Sequence, residues 1–182
     1  MKSKCIKLTL LTDVVITANS ATQGEHEALD FIPGSLLRGA VINKLGGDFQ
    51  PELFFSGKIR FQNAYPMTND NHFTLPIPFS YHKTKGEKNK IYNAAFVREE
   101  GQPEQLRGNY MYGNKKVVVK TTYHMKTSIS REKGYTAEDS QLFGYESIKA
   151  GTTFGCYVDF DVQPITRMFV ITLVIVLLLN QE

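Results

Sequence analysis

The chain has 182 residues, of which 42% are hydrophobic and 21% are charged. That length suits one full domain with its own core, and the composition excludes an intrinsically disordered chain. Cys5 and Cys156 lie in apolar runs without a CxxC-type partner. They predict reduced, buried thiols in a cytoplasmic protein rather than a disulfide framework. The lysines of the opening MKSKCIK argue against a secretory signal peptide.

The net charge of +3 conceals an uneven distribution. The segment 81–135 holds twelve of the 21 Lys and Arg but only five of the 18 Asp and Glu, which makes it +7 and the remainder −4. Tyrosines and Phe96 are interspersed in this basic segment. Cations bind phosphates and aromatic rings stack on bases, so a polyanion partner is one interpretation. A solvated lysine-rich loop is the other.

The first third of the chain predicts a strand, a helix and a second strand. Residues 4–18 alternate and then become β-branched, which indicates a long or bent strand. A helix is expected after a turn at Pro33, with the Ser35 hydroxyl able to cap it, apolar residues at helical spacing from Leu36 to Leu45, and Gly46-Gly47 ending it. The segment 57–66 has alternating apolar residues typical of a strand.

The remainder predicts mostly extended structure. Residues 67–114 are rich in Pro, Gly, Asn and Lys and indicate a basic, loop-rich insertion, in which 72–83 is extended. Residues 115–130 predict a strand, and 142–162 predict two short strands joined by a turn at 149–151.

The segment 168–179, MFVITLVIVLLL, is apolar and uncharged. It is shorter than the roughly 20 residues that a helix needs to span a bilayer. We expect this part of the C-terminal tail (168–182) to be a buried strand, or an aggregation-prone segment if the domain lacks a partner for it. A membrane anchor is the further alternative.

No motif for metal, cofactor or covalent chemistry is visible. The four histidines lack HxxxH or HExxH spacing, and there is no GxSxG, Walker or dinucleotide motif. We therefore expect no catalytic residue, no metal, no cofactor and no small-molecule substrate. Glu25, Glu27 and Asp30, with His26 among them, allow an acid–base pair or a magnesium site. A solvated loop before a helix is the other interpretation.

The stretch LDFIPGSLLRGAV, 29–41, predicts a site for an anion. The unpaired backbone N–H groups at a helix start attract phosphate. Gly34 and Ser35 would let the backbone approach a ligand, and Arg38 lies one turn further on. An ordinary cap with a solvated arginine explains the same residues, and local physics leaves both interpretations open.

Two stretches together resemble the RAMP superfamily of CRISPR-associated proteins. The first is LDFIPGSLLRGAV, similar to the superfamily's (I/Y)PGSSL(K/R)G helix start. The second, 124–160, resembles its basic loop followed by LF-x-x-E-x-(hydrophobic)-x-x-G-x-x-F, at Leu142, Phe143, Glu146, Ile148, Gly151 and Phe154. The nearest likeness is to the Csx-type RAMP subunit of type III-D effector complexes.

The resemblance, which covers most of residues 1–162, implies a fold and a partner. The fold would be α+β, ferredoxin-like (RRM-like), with an antiparallel sheet and packed helices over 1–167. The function implied is CRISPR RNA binding within a cytoplasmic type III effector complex in antiviral defence, without catalysis. The RNA-binding residues implied are Gly34, Ser35, Arg38, His124, Lys126 and Arg131.

The chain departs from the superfamily after about Pro164, where no glycine- and arginine-rich loop follows. The expectation is a fold incomplete at its C-terminal end. Two alternatives follow from the departures. One is a metal-dependent endoribonuclease of the same superfamily that uses the 25–30 loop. The other is a truncated remnant whose apolar tail associates with a membrane.

Overall fold

A computed structural model describes residues 2–17, 28–86, 90–127 and 142–161. These residues divide into two compact units: unit 1 comprises the described residues of 1–64 and 119–182, and unit 2 comprises those of 65–118. Within them, the helices are α1 (Gly34–Leu45) and α2 (Pro51–Phe55), separated by a 3-10 turn at Gly46–Asp48. The strands are β1 (Lys2–Thr9), β2 (Ile59–Phe61), β3 (Tyr65–Pro66), β4 (Leu75–Pro76), β5 (Tyr81–Thr84), β6 (Ile91–Asn93), β7 (Pro103–Gln105), β8 (Tyr110–Tyr112), β9 (Lys115–Val117), β10 (Thr121–Thr127), β11 (Leu142–Ile148) and β12 (Thr153–Phe160).

In the central sheet of unit 1, the first and the last described strands pair with each other. β12 lies between β1 and β2 and is antiparallel to both. Alternation buries one face: Ile6 and Leu8 point inward from β1, and Phe154, Val158 and Phe160 point inward from β12. The strand expected over 4–18 is wrong in length, because β1 ends at Thr9 and only isolated bridges follow, at Val14 and Thr17.

Helix α1 covers the buried face of this sheet, where the sequence predicts it. Val41 and Leu45 are buried in the same core as Ile59 of β2. Gly46, with φ of 53°, ends the helix as expected, because glycine adopts a positive φ without steric cost. The segment expected as one strand over 57–66 is divided into β2 and β3.

A hairpin of β10 and β11 completes unit 1. The two strands expected over 142–162 are present as β11 and β12, on either side of a turn in which Gly151 has φ of 82°. Their partners differ, since β11 pairs with β10 and β12 with β1. Ile148 and Phe154 are both fully buried, so these motif residues hold the core.

Unit 2 contains two small antiparallel sheets. One has the strand order β4-β8-β9 and the other β6-β5-β7. Its core is small and consists of Ile77, Leu106 and Met111, with Tyr81 and Ile91 packed against them. The strand expected over 115–130 is divided into β9 and β10, which belong to different units, so the basic segment 81–135 is not one continuous element.

The cysteines differ from each other in exposure. Cys156 is buried, as expected, and burial together with the nearby Cys5 raises its pKa to about 12. The expectation that Cys5 is buried is wrong, because it lies on the exposed face of β1. The expectations for the C-terminal tail fall outside the described residues.

Candidate nucleic-acid interface

Gly34 is the first residue of α1 and is buried against β2. Its backbone N–H donates to Oδ1 of Asn63 at 2.9 Å. A Cβ at this position would overlap the carbonyl oxygen of Phe61. Close packing of the helix start on the chain at 61–63 therefore accounts for this glycine, and its N–H is already used within the protein.

Ser35 does not cap the helix, contrary to expectation. The N-cap residue is Pro33, whose carbonyl accepts from Leu36 N–H at 3.0 Å and Leu37 N–H at 3.2 Å. Ser35 is instead exposed in the first turn, and no described residue forms a hydrogen bond with its N–H or its hydroxyl. In the part of the chain that the structure describes, both groups are therefore left as donors that a ligand could use.

Arg38 lies one turn after Gly34 and over an aromatic ring. Its guanidinium carbon is 5.4 Å from the centroid of the Phe55 ring, a cation–π contact that fixes the head group. Phe55 is 63% exposed, so its ring is also open to a ligand. Phe49 packs edge-on against it, with centroids 5.7 Å apart. Arg38 is therefore held in place without a carboxylate.

These side chains line a cleft of about 280 Å³, which we call the α1 cleft. Its lining residues are Gly34, Ser35, Arg38, Phe54, Phe55, Gly57, Ile59, Arg60 and Phe61. Arg60 also lines the cleft, but its guanidinium is already used within the protein, because its Nε donates to the Gly57 carbonyl at 3.1 Å and its charge lowers the pKa of Asp159. Among the described residues that line the cleft, none is a carboxylate. The guanidinium of Arg38, the two donors of Ser35 and one open ring suit an anion next to a flat ring.

His124 and Lys126 meet on the β10–β11 hairpin. The His124 ring stacks on Tyr145, its cross-strand partner, with centroids 5.2 Å apart. Lys126 Nζ lies 5.2 Å from the centroid of the same ring. The structure thus brings these two predicted residues together around Tyr145. Among the described residues, no hydrogen bond, ion pair or ring contact joins them to the α1 cleft.

The surroundings of His124 resemble a catalytic triad in composition but not in geometry. His124 Nε2 lies 3.0 Å from Oγ of Ser147 and 3.6 Å from Oδ2 of Asp13. A triad needs one ring nitrogen for each partner, whereas here the same nitrogen faces both. Ser147 also donates to the Thr122 carbonyl at 3.2 Å and is 1% exposed. The group therefore holds the hairpin against the segment at Asp13.

The structure describes only some of the remaining predicted residues. Arg131 lies outside the described residues, as do Glu25, His26 and Glu27. Asp30 is half-buried just before α1. Within the described ranges, no group of three or more His, Cys, Asp or Glu side chains is placed to hold a metal ion.

Sequence analysis missed Asn63, Phe55 and Arg60. Asn63 follows β2 and anchors the start of α1, a contact between segments 29 residues apart that no local pattern indicates. Phe55 and Arg60 lie in PELFFSGKIRF, 51–61, which shows two aromatics followed by Ser-Gly and two cations. The available signal was the pair Phe54-Phe55 before the Ser-Gly turn. A short helix needs only one aromatic side chain to pack on the core, so the second is left for the surface.

Comparison with known proteins finds likeness in structure alone. No family profile matches the sequence, and no curated protein matches it. A chain in the cryo-EM structure of the type III-B Cmr-beta bound to cognate target RNA matches with a TM-score of 0.51 and 12% identity, covering 93% of this chain and 87% of that one. A chain in the apo-state Cmr-beta structure gives 0.49 and 10%, covering 92% and 87%.

The first of these similarities confirms the fold class. The protein is α+β, with mostly antiparallel sheets and few helices in the part described, and the match fits the ferredoxin-like fold that the sequence predicts. At this level of identity, the likeness supports the fold and no conclusion about function. In the described segments, no helix is long and apolar enough to cross a membrane.

Proposed function

We propose that the protein is a CRISPR RNA-binding subunit of a type III effector complex and has no catalytic activity of its own. The observation that carries the proposal is the α1 cleft, in which the PGS helix start presents Ser35 and Arg38 beside an exposed ring. The fold likeness to a chain of an RNA-bound type III-B assembly supports the same partner.

The α1 cleft suits a phosphodiester backbone rather than a particular base sequence. A guanidinium offers a planar fork of donors that matches phosphate oxygens. The free Ser35 N–H and hydroxyl supply neutral donors at the helix end, where the dipole favours negative charge. Contacts of this kind position RNA and carry little sequence information. Affinity should therefore depend strongly on salt and weakly on sequence.

His124 and Lys126 form a second contact region in this proposal. Lys126 is exposed, and its charge lies over Tyr145 rather than in an ion pair with a described carboxylate. The contacts of His124 with Ser147 and Asp13 keep the hairpin rigid. Arg131, seven residues after His124 in sequence, is proposed to extend this basic region.

The test compares Arg38 variants in RNA affinity and thermal stability. Arg38→Ala should weaken binding of a single-stranded RNA by about tenfold, the loss of one charged hydrogen bond of about 1.5 kcal/mol. Arg38→Lys should retain part of the affinity, since it keeps the charge but loses the fork. Lys44→Ala, near the other end of the same helix, is the control and should bind as the wild type does. Unchanged affinity in Arg38→Ala would overturn the role of the cleft.

The absence of catalysis is tested separately. We expect the purified chain, with magnesium, to leave RNA intact. The loop that ends at Asp30 is the site on which the endoribonuclease alternative depends. Metal-dependent cleavage by the wild type that is lost in Asp30→Ala, with affinity retained, would favour the enzyme.

A further inference from the structure

Unit 2 carries two aromatic rings stacked on its surface. The imidazole of His72 and the phenol ring of Tyr112 are parallel to within 3°, and their centroids are 4.4 Å apart. Both side chains are exposed, Tyr112 by 44%. Such a stack covers one face of each ring, so its exposure leaves flat aromatic surface open to a ligand. We call this pair the ring platform.

Hydrogen-bonded turns hold the ring platform in place. His72 N–H donates to Thr68 Oγ1 at 2.9 Å, and Thr68 N–H donates to the His72 carbonyl at 3.0 Å. Asn71, with φ of 62°, completes this turn. Tyr112 ends β8 and is joined to β9 by a tight turn in which Gly113 has φ of 56°. A ligand would meet rings that are already ordered, which lowers the entropic cost of binding.

One lysine lies beside the ring platform. Lys115 is the cross-strand partner of Tyr112, so the two side chains are on the same face of the sheet. Lys115 is exposed, whereas Lys116 is opposite Met111 and lies on the other face of the sheet. Among the described residues, Lys115 takes part in no ion pair, whereas Lys83 is bound to Glu104 at 3.1 Å.

The residues around the ring platform favour a nucleic acid over an apolar protein partner. The turn that carries His72 contains Asn69, Asp70 and Asn71, and the turn after Tyr112 contains Gly113 and Asn114. Asp70 is the carboxylate of these turns, and Lys115 is the cation on the same face of the sheet as Tyr112. An apolar protein interface needs a hydrophobic centre, which these polar turns do not provide. A flat ring with an adjacent cation suits a stacked base and a neighbouring phosphate.

We infer that the ring platform binds single-stranded RNA: one base stacks on the rings, and Lys115 contacts a neighbouring phosphate. The inference rests on the proposed function for its partner, RNA. It goes beyond that function in placing a base contact in unit 2, whereas the α1 cleft lies in unit 1.

The test measures the affinity of the full chain for a labelled oligouridine and for an abasic strand of equal length. Tyr112→Leu should weaken oligouridine binding by about fivefold or more, the loss of one base stack, and should leave the abasic strand unaffected. Tyr112→Phe should bind as the wild type does. Lys115→Ala should weaken binding of both strands. Thermal unfolding of each variant checks that the exposed hairpin still folds.

Phe96→Leu is the matched control, because Phe96 is 86% exposed elsewhere in unit 2. A loss in Tyr112→Leu that Phe96→Leu does not show supports the inference. Equal losses in both variants, or on both strands for Tyr112→Leu, would overturn it. Unchanged RNA affinity in Tyr112→Leu would also overturn the inference. If that variant in addition co-purified with fewer other proteins, the ring platform would be a protein interface.

The outcomes separate this inference from the proposed function. If Arg38→Ala weakens binding and Tyr112→Leu does not, the ring platform is wrong and the α1 cleft stands. The reverse result sinks the cleft and supports the ring platform. A wild-type chain without affinity for single-stranded RNA overturns both.

Discussion

Gly34 and the carbonyl of Phe61 lie so close that no side chain fits between them. A Cβ on Gly34 would overlap that oxygen and would also come within 2.9 Å of the Gln62 carbonyl oxygen. Backbone cannot give way as the end of a flexible side chain does. The start of α1 is thus fixed on the end of β2, and this contact positions Arg38 one turn further along.

Gly34→Ala should therefore lower the stability of unit 1. We expect a loss of about 1–3 kcal/mol in the free energy of unfolding, the usual cost of overpacking a core. Gly39→Ala is the matched control, because Gly39 is exposed in the same helix and its Cβ would meet nothing within 4 Å. It should stabilise the helix by about 0.5–1 kcal/mol. Urea unfolding of both variants is the measurement, and equal stabilities would contradict the packing account.

The same contact changes how a larger substitution at this position is interpreted. The sequence alone favours a Gly34→Val variant that folds and binds RNA poorly. The structure indicates that Gly34→Val should unfold the helix start first, so any lost affinity would report folding. Arg38 is the better probe of the cleft, since its half-exposed side chain contacts a surface ring and not the core.

Lys126 should contribute to the salt dependence of RNA binding. Lys126→Ala should make the slope of log affinity against log salt shallower by roughly 0.7, the value for one phosphate contact on a single strand. Lys44→Ala should leave the slope unchanged. Titrations at four or more salt concentrations give both slopes. A slope in Lys126→Ala identical to that of the wild type would identify this lysine as solvated surface.

The two cysteines should react at very different rates. Cys5 is exposed, while Cys156 is 2% exposed, and burial raises its pKa to about 12. Their side chains lie on opposite faces, because the partner of Cys156 in β1 is the buried Ile6. Iodoacetamide at neutral pH should modify one thiol in the folded protein and two in urea. Mass spectrometry counts the modified thiols, with Cys5→Ser as the control. Equal modification of both thiols in the native protein would contradict this register.

Local and distant contacts differ in how well the sequence predicted them. α1 was predictable because its apolar spacing and its Gly46 stop act within the helix itself. β11 and β12 were predictable as strands, but not their separate partners, since pairing between residues as far apart as Lys2 and Phe160 leaves no local pattern. For the same reason, the sequence predicted only some of the residues of the α1 cleft. Arg38 belongs to the helix motif, whereas Phe55 and Arg60 reach it only through folding.

Asp159 should link stability to pH at the exposed face of the central sheet. Its carboxylate accepts from Ser3 Oγ at 2.6 Å and from Gln62 Nε2 at 3.0 Å. These two hydrogen bonds, in that order, lower its pKa from the ordinary 3.8, and the charge of Arg60 adds to them. The charged form is therefore favoured in the folded state. Its contribution to stability is full above the unfolded-state pKa and is lost as the pH falls through the lower, folded-state pKa.

Asp159→Asn should remove this dependence. We expect the variant to be less stable than the wild type by at most about 1 kcal/mol at neutral pH, because water screens an exposed group. The difference should shrink below about pH 4. Ser3→Ala, which removes the strongest of the three influences, should shift the stability curve in the same direction. Urea midpoints measured across that range are the test. A gap between wild type and Asp159→Asn that widens as the pH falls would show that the carboxylate is stabilised by nothing in the folded sheet.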